Sequence, residues 1–422
     1  MSREPNSSIP YVVGYDDPKL VTEAISKAKV IVGIPSKDSA HTIAYVVNNV
    51  AKGLIKYFEG VDSVIIVSDG LSRDGTQEVV KVVRKYVKVP TYILPNVRAP
   101  GKGSAVRLVL ELASNYSDAD ATVLLDSDLR SITPEWVAQL VNGAMDYGFV
   151  APRYVRDRYD ATITNFIARP LTTAAYGVDI TQPIGGDFGL CKLLVRELAN
   201  SPLWTSNPWV NLFGVDIFIT HTALAKGFKV CEADLKAKIH EAKDPSKALR
   251  SMFIEVVGSL ITMLVEYSSS WLGKEFTEVM TPPLIKEPEV PPMRPWRVKV
   301  DVSRIASTFK EGLSKYGDLY REVLGSELHK QVSERCINEG LGKVTWFEVI
   351  IKYIEAFLKK QNTSYRLELL NSLMHLWMGR LLKYVIEVKD LDDEAVQQIL
   401  RDEVDTFVEG REELRKVISR YT

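Results

Sequence analysis

The sequence predicts an α/β protein, a mostly parallel sheet with helices on both faces, followed by a helical C-terminal region. Three observations carry this. In the first half, short β-branched apolar runs alternate with amphipathic stretches, the pattern of repeated strand–helix units. After about residue 245 the strand-like runs stop and helical periodicity takes over. The chain has 422 residues, 46% apolar and 25% charged, so it can bury more than one core and is no disordered polypeptide.

The elements follow in order. Lys29–Pro35 (KVIVGIP) reads as a buried strand, and Ile43, Val46, Val47, Val50 and Leu54 share one face of the next helix. Val64–Ser68 is a second strand, and Asp74 opens a helix carrying Val79, Val80 and Val83. Thr91–Leu94 is a third strand, and Gly103 leads into a helix with Ala105, Leu108, Val109 and Leu112. Ala121–Leu125 is a fourth strand, running into Asp126-Ser127-Asp128. Thr133-Pro134 has the cap-then-proline order that starts a helix. Phe228–Ala233 is a later strand. Six prolines between 282 and 295 suggest an extended linker or wrapping segment. Leu367, Leu370, Leu373, Met374, Trp377, Leu381 and Tyr384 mark one long amphipathic helix. The expected division is a catalytic domain over 1–250, a helix and proline-rich linker over 251–300, and a helical domain over 301–422.

Composition narrows the function classes. Lys plus Arg is 53 and Asp plus Glu 54, a net charge of −1, which argues against a nucleic-acid binder. Cys191, Cys231 and Cys336 are odd in number and far apart, so neither a disulfide framework nor a cysteine zinc site is expected. The opening residues lack a basic start followed by an apolar stretch, and Val256–Val265 is too short and interrupted to span a bilayer. A cytoplasmic protein without a membrane partner is the expectation.

Four motifs carry chemistry. Asp126 and Asp128, one residue apart where a strand ends, can face one hard divalent cation; an acidic turn is the plain alternative. Pro100-Gly101-Lys102-Gly103 before a helix suits a phosphate through close backbone approach and the Lys102 charge, or it is a surface turn. The loop Ser68–Thr76 either caps its helix or bonds to a nucleoside. His240, in KAKIHEAK, either completes the aspartate site or is structural. Ligands of such sheets bind at the carboxyl ends of strands, which is where these motifs fall.

Taken together the motifs resemble retaining glycosyltransferases of the GT-A fold, of the mannosylglycerate synthase and glucosyl-3-phosphoglycerate synthase type. The resembling stretches run in one order: PGKGSA (100–105), LLDSDLRSITPEWV (124–137), YGFVAPRYVRDRYDATIT (147–164), ARPL (168–171), QPIGGDF (182–188), FGVDIF (213–218) and KAKIHEAKDPSKALRSM (236–252). NSLMHLWMGRLLKYVIEV (371–388) is similar to the mannosylglycerate synthase tail. The resemblance implies Asp128 and His240 as ligands of Mg²⁺ or Mn²⁺, with Asp126 on the metal or the ribose. It places Lys102 and Gly103 at the nucleotide diphosphate, Ser72 and Ser127 near the nucleotide, and Gly185 and Gly186 where substrate approaches backbone. Asp216 would contact the donor sugar, and Lys102 and Asp216 would take part in the chemistry. Arg156, Asp160 and Thr164 would hold the acceptor; at four-residue steps they would share one helix face.

The expected activity is metal-dependent, retaining transfer of glucose or mannose from a nucleotide-diphosphate sugar (GDP-mannose, or UDP- or GDP-glucose) to the 2-hydroxyl of D-glycerate. The product is a glycosylglycerate compatible solute. 3-Phosphoglycerate is the alternative acceptor, and a family-two-type transferase with another acceptor the alternative class. Two features depart from the family: Ser39 and Ala40 stand where many relatives carry acidic residues, and Thr162 where the phosphoglycerate enzymes carry an Arg. A pyrophosphorylase is disfavoured because PSKDSAH lacks its glycine- and arginine-rich loop. A sugar-binding module is disfavoured by the metal constellation. The resemblance leaves room for a homodimer.

Overall fold

The computed structural model describes residues 12–240 and 245–422, with the side chains of 245–248 left aside. Most of the opening stretch, and residues 241–244 of the stretch 236–252, therefore lie outside the described residues. The chain forms two compact units: residues 1–155, 184–242 and 282–295 make one, and 156–183, 243–281 and 296–422 the other. The expected boundaries at 250 and 300 do not hold, because the chain passes between the units repeatedly.

The first unit contains every strand among the described residues: β1 (Val30–Ser36), β2 (Ser63–Asp69), β3 (Thr91–Pro95), β4 (Ala121–Leu124), β5 (Gly148–Val155), β6 (Phe188–Cys191), β7 (Lys229–Ala237) and β8 (Leu284–Ile285). They form one sheet in the order β3-β2-β1-β4-β6-β5-β7-β8. β6 is antiparallel to both neighbours, and the other pairings are parallel. β1 is buried along its whole length, because helices cover both faces of a sheet built this way. Helix Ile43–Tyr57 packs Val46, Val47, Val50 and Leu54 inward, and helix Lys102–Tyr116 packs Ala105, Leu108, Val109 and Leu112 inward, the faces the sequence marks.

The antiparallel strand decides where the site forms. Leu124 of β4 pairs with Phe188 of β6, so β6 begins where β4 ends. The turn 185–187 is thereby delivered to the chain just past β4. On the other side of β6, β5 runs parallel to β7, pairing Val155 with Ala237. A register shift opposite Arg153 and Tyr154 marks a bulge in β7, with Lys236 in left-handed conformation (φ 58°). Bulges re-aim side chains beside functional sites. The proline-rich stretch is not a free linker. It adds β8 beside β7, buries Val290, and its Pro288 carbonyl accepts from Gln139 Nε2 at 2.9 Å.

The second unit is helical. Its longest helix, Thr363–Val388, is capped by Asn362, whose side chain accepts from Tyr365 N–H. Leu370, Leu373, Trp377, Leu381 and Tyr384 are buried, whereas Leu367 is exposed, so the apolar stripe starts one turn later than the sequence suggests. The same helix places Arg380 against Glu403 at 2.6 Å, both fully buried, and over the ring of Phe166. Burial pushes the Glu403 carboxyl up, against the pull of Arg380. Residues 156–183 join this unit because C-terminal side chains grip their backbone. Trp346 Nε1 donates to Phe166 O, Arg411 Nε to Ala174 O and Tyr384 O–H to Arg158 O, all at 2.8–2.9 Å. No described helix is long and apolar enough to cross a membrane.

Candidate active site

The carboxyl ends of β1, β2 and β4 bring together the loops the motifs occupy. Asp69, fully buried at the end of β2, accepts from Tyr15 O–H at 2.6 Å and from Ser72 N–H and Oγ–H at 2.9 and 2.5 Å. Ser72 Oγ in turn accepts from Asp38 N–H at 2.8 Å. Ser72 therefore ties the β1 and β2 loops together. Ser127 does the same for β1 and β4: its Oγ lies 2.8 Å from Ser39 Oγ, and its carbonyl accepts from Thr42.

Past β4 the charges alternate. Lys102 Nζ is 2.9 Å from Asp126 Oδ1 and 3.0 Å from Asp216 Oδ2. Lys238 Nζ is 2.7 Å from Asp126 Oδ2 and 2.8 Å from Asp187 Oδ2, and donates to Gly185 O at 2.8 Å. Asp187 closes the group, accepting from Asp126 N–H at 2.8 Å and from Tyr154 O–H. The order is Asp187, Lys238, Asp126, Lys102, Asp216. Burial would raise the Asp126 carboxyl, but Lys102 and Lys238 outweigh it and hold the group well below the usual carboxylate range. Burial would likewise lower Lys102, and Asp126 and Asp216 reverse that. Asp216 is pushed up to about 6 by burial, opposed by Lys102 and assisted by repulsion from Asp126. Burial also raises Asp187, in spite of Lys238.

The glycines around Lys102 make room for another segment of the chain. Gly103 N–H donates to Leu212 O at 3.1 Å and Ser104 N–H to Asn211 O at 2.9 Å. A Cβ at Gly103 would overlap the Val210 carbonyl. The glycines thus admit the 210–212 segment, which precedes helix Val215–Ala225 and its Asp216. Gly186 (φ +83°) lies against the site: a Cβ there would be 2.7 Å from both Asp126 Oδ2 and Lys102 Nζ.

The expected metal ligands are brought into part of one arrangement. Leu129, next to Asp128, forms an isolated antiparallel bridge with His240, so one ligand candidate is in the backbone pairing and the other adjoins it. Asp128 is half-buried, and among the described residues its carboxylate accepts no hydrogen bond. Both oxygens of Asp126 meet lysines. No group of three or more His, Cys, Asp or Glu is gathered for a metal among the described residues. One carboxylate and one imidazole suit a hard cation that keeps waters and substrate oxygens as its other ligands.

The acceptor candidates lie in the second unit. Arg156 Nη1 is 3.2 Å from Asp160 Oδ2. They do not share a helix face: 156–161 is a turn, in which Asp157 Oδ1 accepts from Tyr159 N–H and Ala161 takes φ 55°. The helix starts only at 162, and Thr164 begins its π-helical stretch, buried. Sequence reasoning assigned no role to Lys238, nor any binding role to Asp187. A lysine two residues before His240, in line with a strand, was the available signal.

An α/β domain with a charged cluster at the carboxyl ends of its strands is the architecture of an enzyme that binds its ligand there. The chain belongs to the mannosylglycerate synthase family: the model of its glycosyltransferase domain matches residues 41–262. It is thus a glycosyltransferase of the mannosylglycerate synthase and glucosyl-3-phosphoglycerate synthase type. A glucosyl-3-phosphoglycerate synthase from Petrotoga mobilis is 25% identical over 297 residues, which is 63% of this chain and 86% of that one. Among solved structures, glucosyl-3-phosphoglycerate synthase from Mycobacterium tuberculosis with Mn²⁺, UDP-glucose and phosphoglyceric acid is similar at 22% identity, with a TM-score of 0.45 over 58% of this chain and 82% of that one. The same enzyme with Mg²⁺ and UDP is similar at 22% identity, with a TM-score of 0.46 over 60% and 84%.

Proposed function

We propose that this chain transfers a hexose, glucose or mannose, with retention from a nucleotide-diphosphate sugar to the 2-hydroxyl of D-glycerate. The observation that carries the reading is the chain of charges from Asp187 to Asp216 at the carboxyl end of β4, in a member of this family. Asp128 and His240 are the residues that would hold Mg²⁺ or Mn²⁺, and the cation would supply charge to offset that of the departing diphosphate. Lys102 exchanges part of its contact with Asp126 and Asp216 for the diphosphate and gains in value as the leaving group forms. Asp216, released on one oxygen, holds sugar hydroxyls. Asp187 is not a nucleophile in this scheme, because Lys238, Tyr154 and Asp126 N–H occupy its buried carboxylate. The acceptor hydroxyl then attacks from the face the leaving group departs, and a phosphate oxygen takes its proton.

Arg156 is assigned the acceptor carboxylate, a bidentate partner for guanidinium, with Asp160 and Thr164 on its hydroxyls. Free glycerate is preferred over 3-phosphoglycerate for two reasons. A phosphate would add negative charge beside Asp160, and Thr162 supplies no cation. Nor does Arg158: its guanidinium donates to Val388 O, Leu391 O and Asp393 Oδ1 at 2.7–2.9 Å. The name of the Petrotoga mobilis relative favours the phosphorylated acceptor as the second reading. A matrix of nucleotide-sugars against D-glycerate and 3-phosphoglycerate, with product detection, decides between them. Glycosylglycerate formation supports the reading. Transfer to 3-phosphoglycerate alone moves the protein to the other branch, and Arg156→Ala raising the acceptor KM far more than the donor KM supports the assignment of Arg156.

A further inference from the structure

We infer that Lys238 is a positioning residue of the transfer reaction: its buried ammonium fixes Asp126 and the Gly185–Gly186 turn in the arrangement that presents Lys102 to the donor. The inference rests on the proposed glycosyl transfer and adds a residue to it. Lys238 is 7% exposed, and its Nζ donates to acceptors on two separate segments besides its own: Asp126 after β4, and Gly185 O and Asp187 before β6. The ring of Tyr154, on β5, lies 5.3 Å from the same ammonium, and Tyr154 O–H holds Asp187. One cation therefore joins the segments around β4, β5, β6 and β7.

The geometry transmitted is specific. Lys238 takes Asp126 Oδ2 and Lys102 takes Oδ1, so the carboxylate plane is set from both sides. Gly186 follows the carbonyl that Lys238 holds, and it packs against both Asp126 and Lys102. Stability alone is a weak reason for this lysine, since buried ion pairs are often replaced by apolar groups without loss. Without Lys238, Asp126 keeps one partner and can turn with Lys102, and the 185–186 turn loses its tether. Asp187 is left buried without a cation.

Three variants test this in the full-length protein, with melting temperature, donor and acceptor kinetics, and calorimetric affinity for the nucleotide-sugar as readouts. Lys238→Met lowers kcat/KM for the donor ~10–100-fold, the range for residues that orient ligand groups, with the acceptor KM unchanged. Lys238→Arg recovers part of that loss. Lys238→Met combined with Asp187→Asn removes the orphaned charge, so it recovers the melting temperature but not the turnover. If the double variant regains wild-type turnover, Lys238 only balances charge and the inference fails; wild-type kinetics in Lys238→Met overturn it as well. Should Lys238→Met not fold, the double variant decides alone. Should the wild-type chain transfer to no acceptor, the functional reading fails, and affinity for the nucleotide-sugar decides the inference: weakened tenfold or more in the double variant supports it, unchanged overturns it.

Discussion

Gly186→Ala separates what the site needs from what the backbone needs. Gly186 has φ +83°, where an alanine costs roughly 1–2 kcal/mol through contact of its Cβ with backbone. The new methyl would also stand 2.7 Å from Asp126 Oδ2 and 2.7 Å from Lys102 Nζ, closer than real Cβ atoms come. One of those groups must move by several tenths of an ångström, or the turn must. Gly227 provides the control. It too is left-handed, at φ +74°, but nothing lies within 4 Å of its Cβ position. The two substitutions therefore share the backbone cost and differ in the displaced ion pair. Both lower the melting temperature by a few degrees. Gly227→Ala keeps wild-type kinetics, whereas Gly186→Ala loses about 100-fold in kcat/KM for the nucleotide-sugar, the scale of a small misplacement of catalytic groups. Steady-state kinetics with the donor varied, beside thermal melts, make the comparison. Equal kinetics in the two variants would refute the claim that the Lys102–Asp126 pair at Gly186 is part of the donor site.

The remaining predictions concern charge. Lys102→Ala weakens nucleotide-sugar binding and slows the chemical step, as single-turnover kinetics read directly; wild-type behaviour would reduce PGKG to a turn. Arg380→Met leaves Glu403 buried without its cation and costs about 3–5 kcal/mol in denaturant unfolding, most of it recovered by Arg380→Met with Glu403→Leu. Two buried groups on helix Val215–Ala225 set opposing pH slopes. Burial depresses His221 from 6.5 to about 3, so the unfolded chain binds its proton first and stability falls as pH drops below 6.5. Burial raises Asp216 from 3.8 to about 6, so the folded chain binds that proton first and stability rises as pH drops from 6 to 4. Asp216→Asn removes the second slope and steepens the loss on acidification across that window, by as much as about 1.4 kcal/mol per pH unit. Parallel curves for wild type and variant would contradict the assignment.

Much of the first unit is legible in the sequence because its strands are buried on both faces. KVIVGIP and VIIVS leave no polar position to confuse the period, and Asp126 announces itself by following ATVLL directly. The candidate site is half legible. Lys102, Asp126 and Asp216 are found by motif, but the reason for the PGKG glycines is the close approach of 210–212, a contact more than a hundred residues away in sequence. Lys238 is illegible for a related reason. In KAKIHEAK a lysine reads as solvated, and only the antiparallel insertion of β6 puts it beneath Asp126. Arg156 and Asp160 have helical spacing without a helix, since a side chain–backbone turn at Asp157 and the left-handed Ala161 take the segment first. The division of the chain cannot be read from composition. Residues 156–183 belong with the helices because Trp346, Tyr384 and Arg411 bond to their backbone, and sequence distance hides those contacts.

The proposed reaction is metal-dependent transfer from a nucleotide-sugar to glycerate, with Asp128 and His240 as the protein's ligands. The most direct measurement follows glycosylglycerate by NMR during turnover of nucleotide-sugar and D-glycerate, in EDTA and after addition of Mg²⁺ or Mn²⁺, for the wild type, Asp128→Ala and His240→Ala. Expected are no product in chelator, recovery with either cation, the anomeric configuration of the donor in the product, and turnover lower by orders of magnitude in both folded variants. Full activity in chelator, or wild-type turnover in Asp128→Ala, would contradict it.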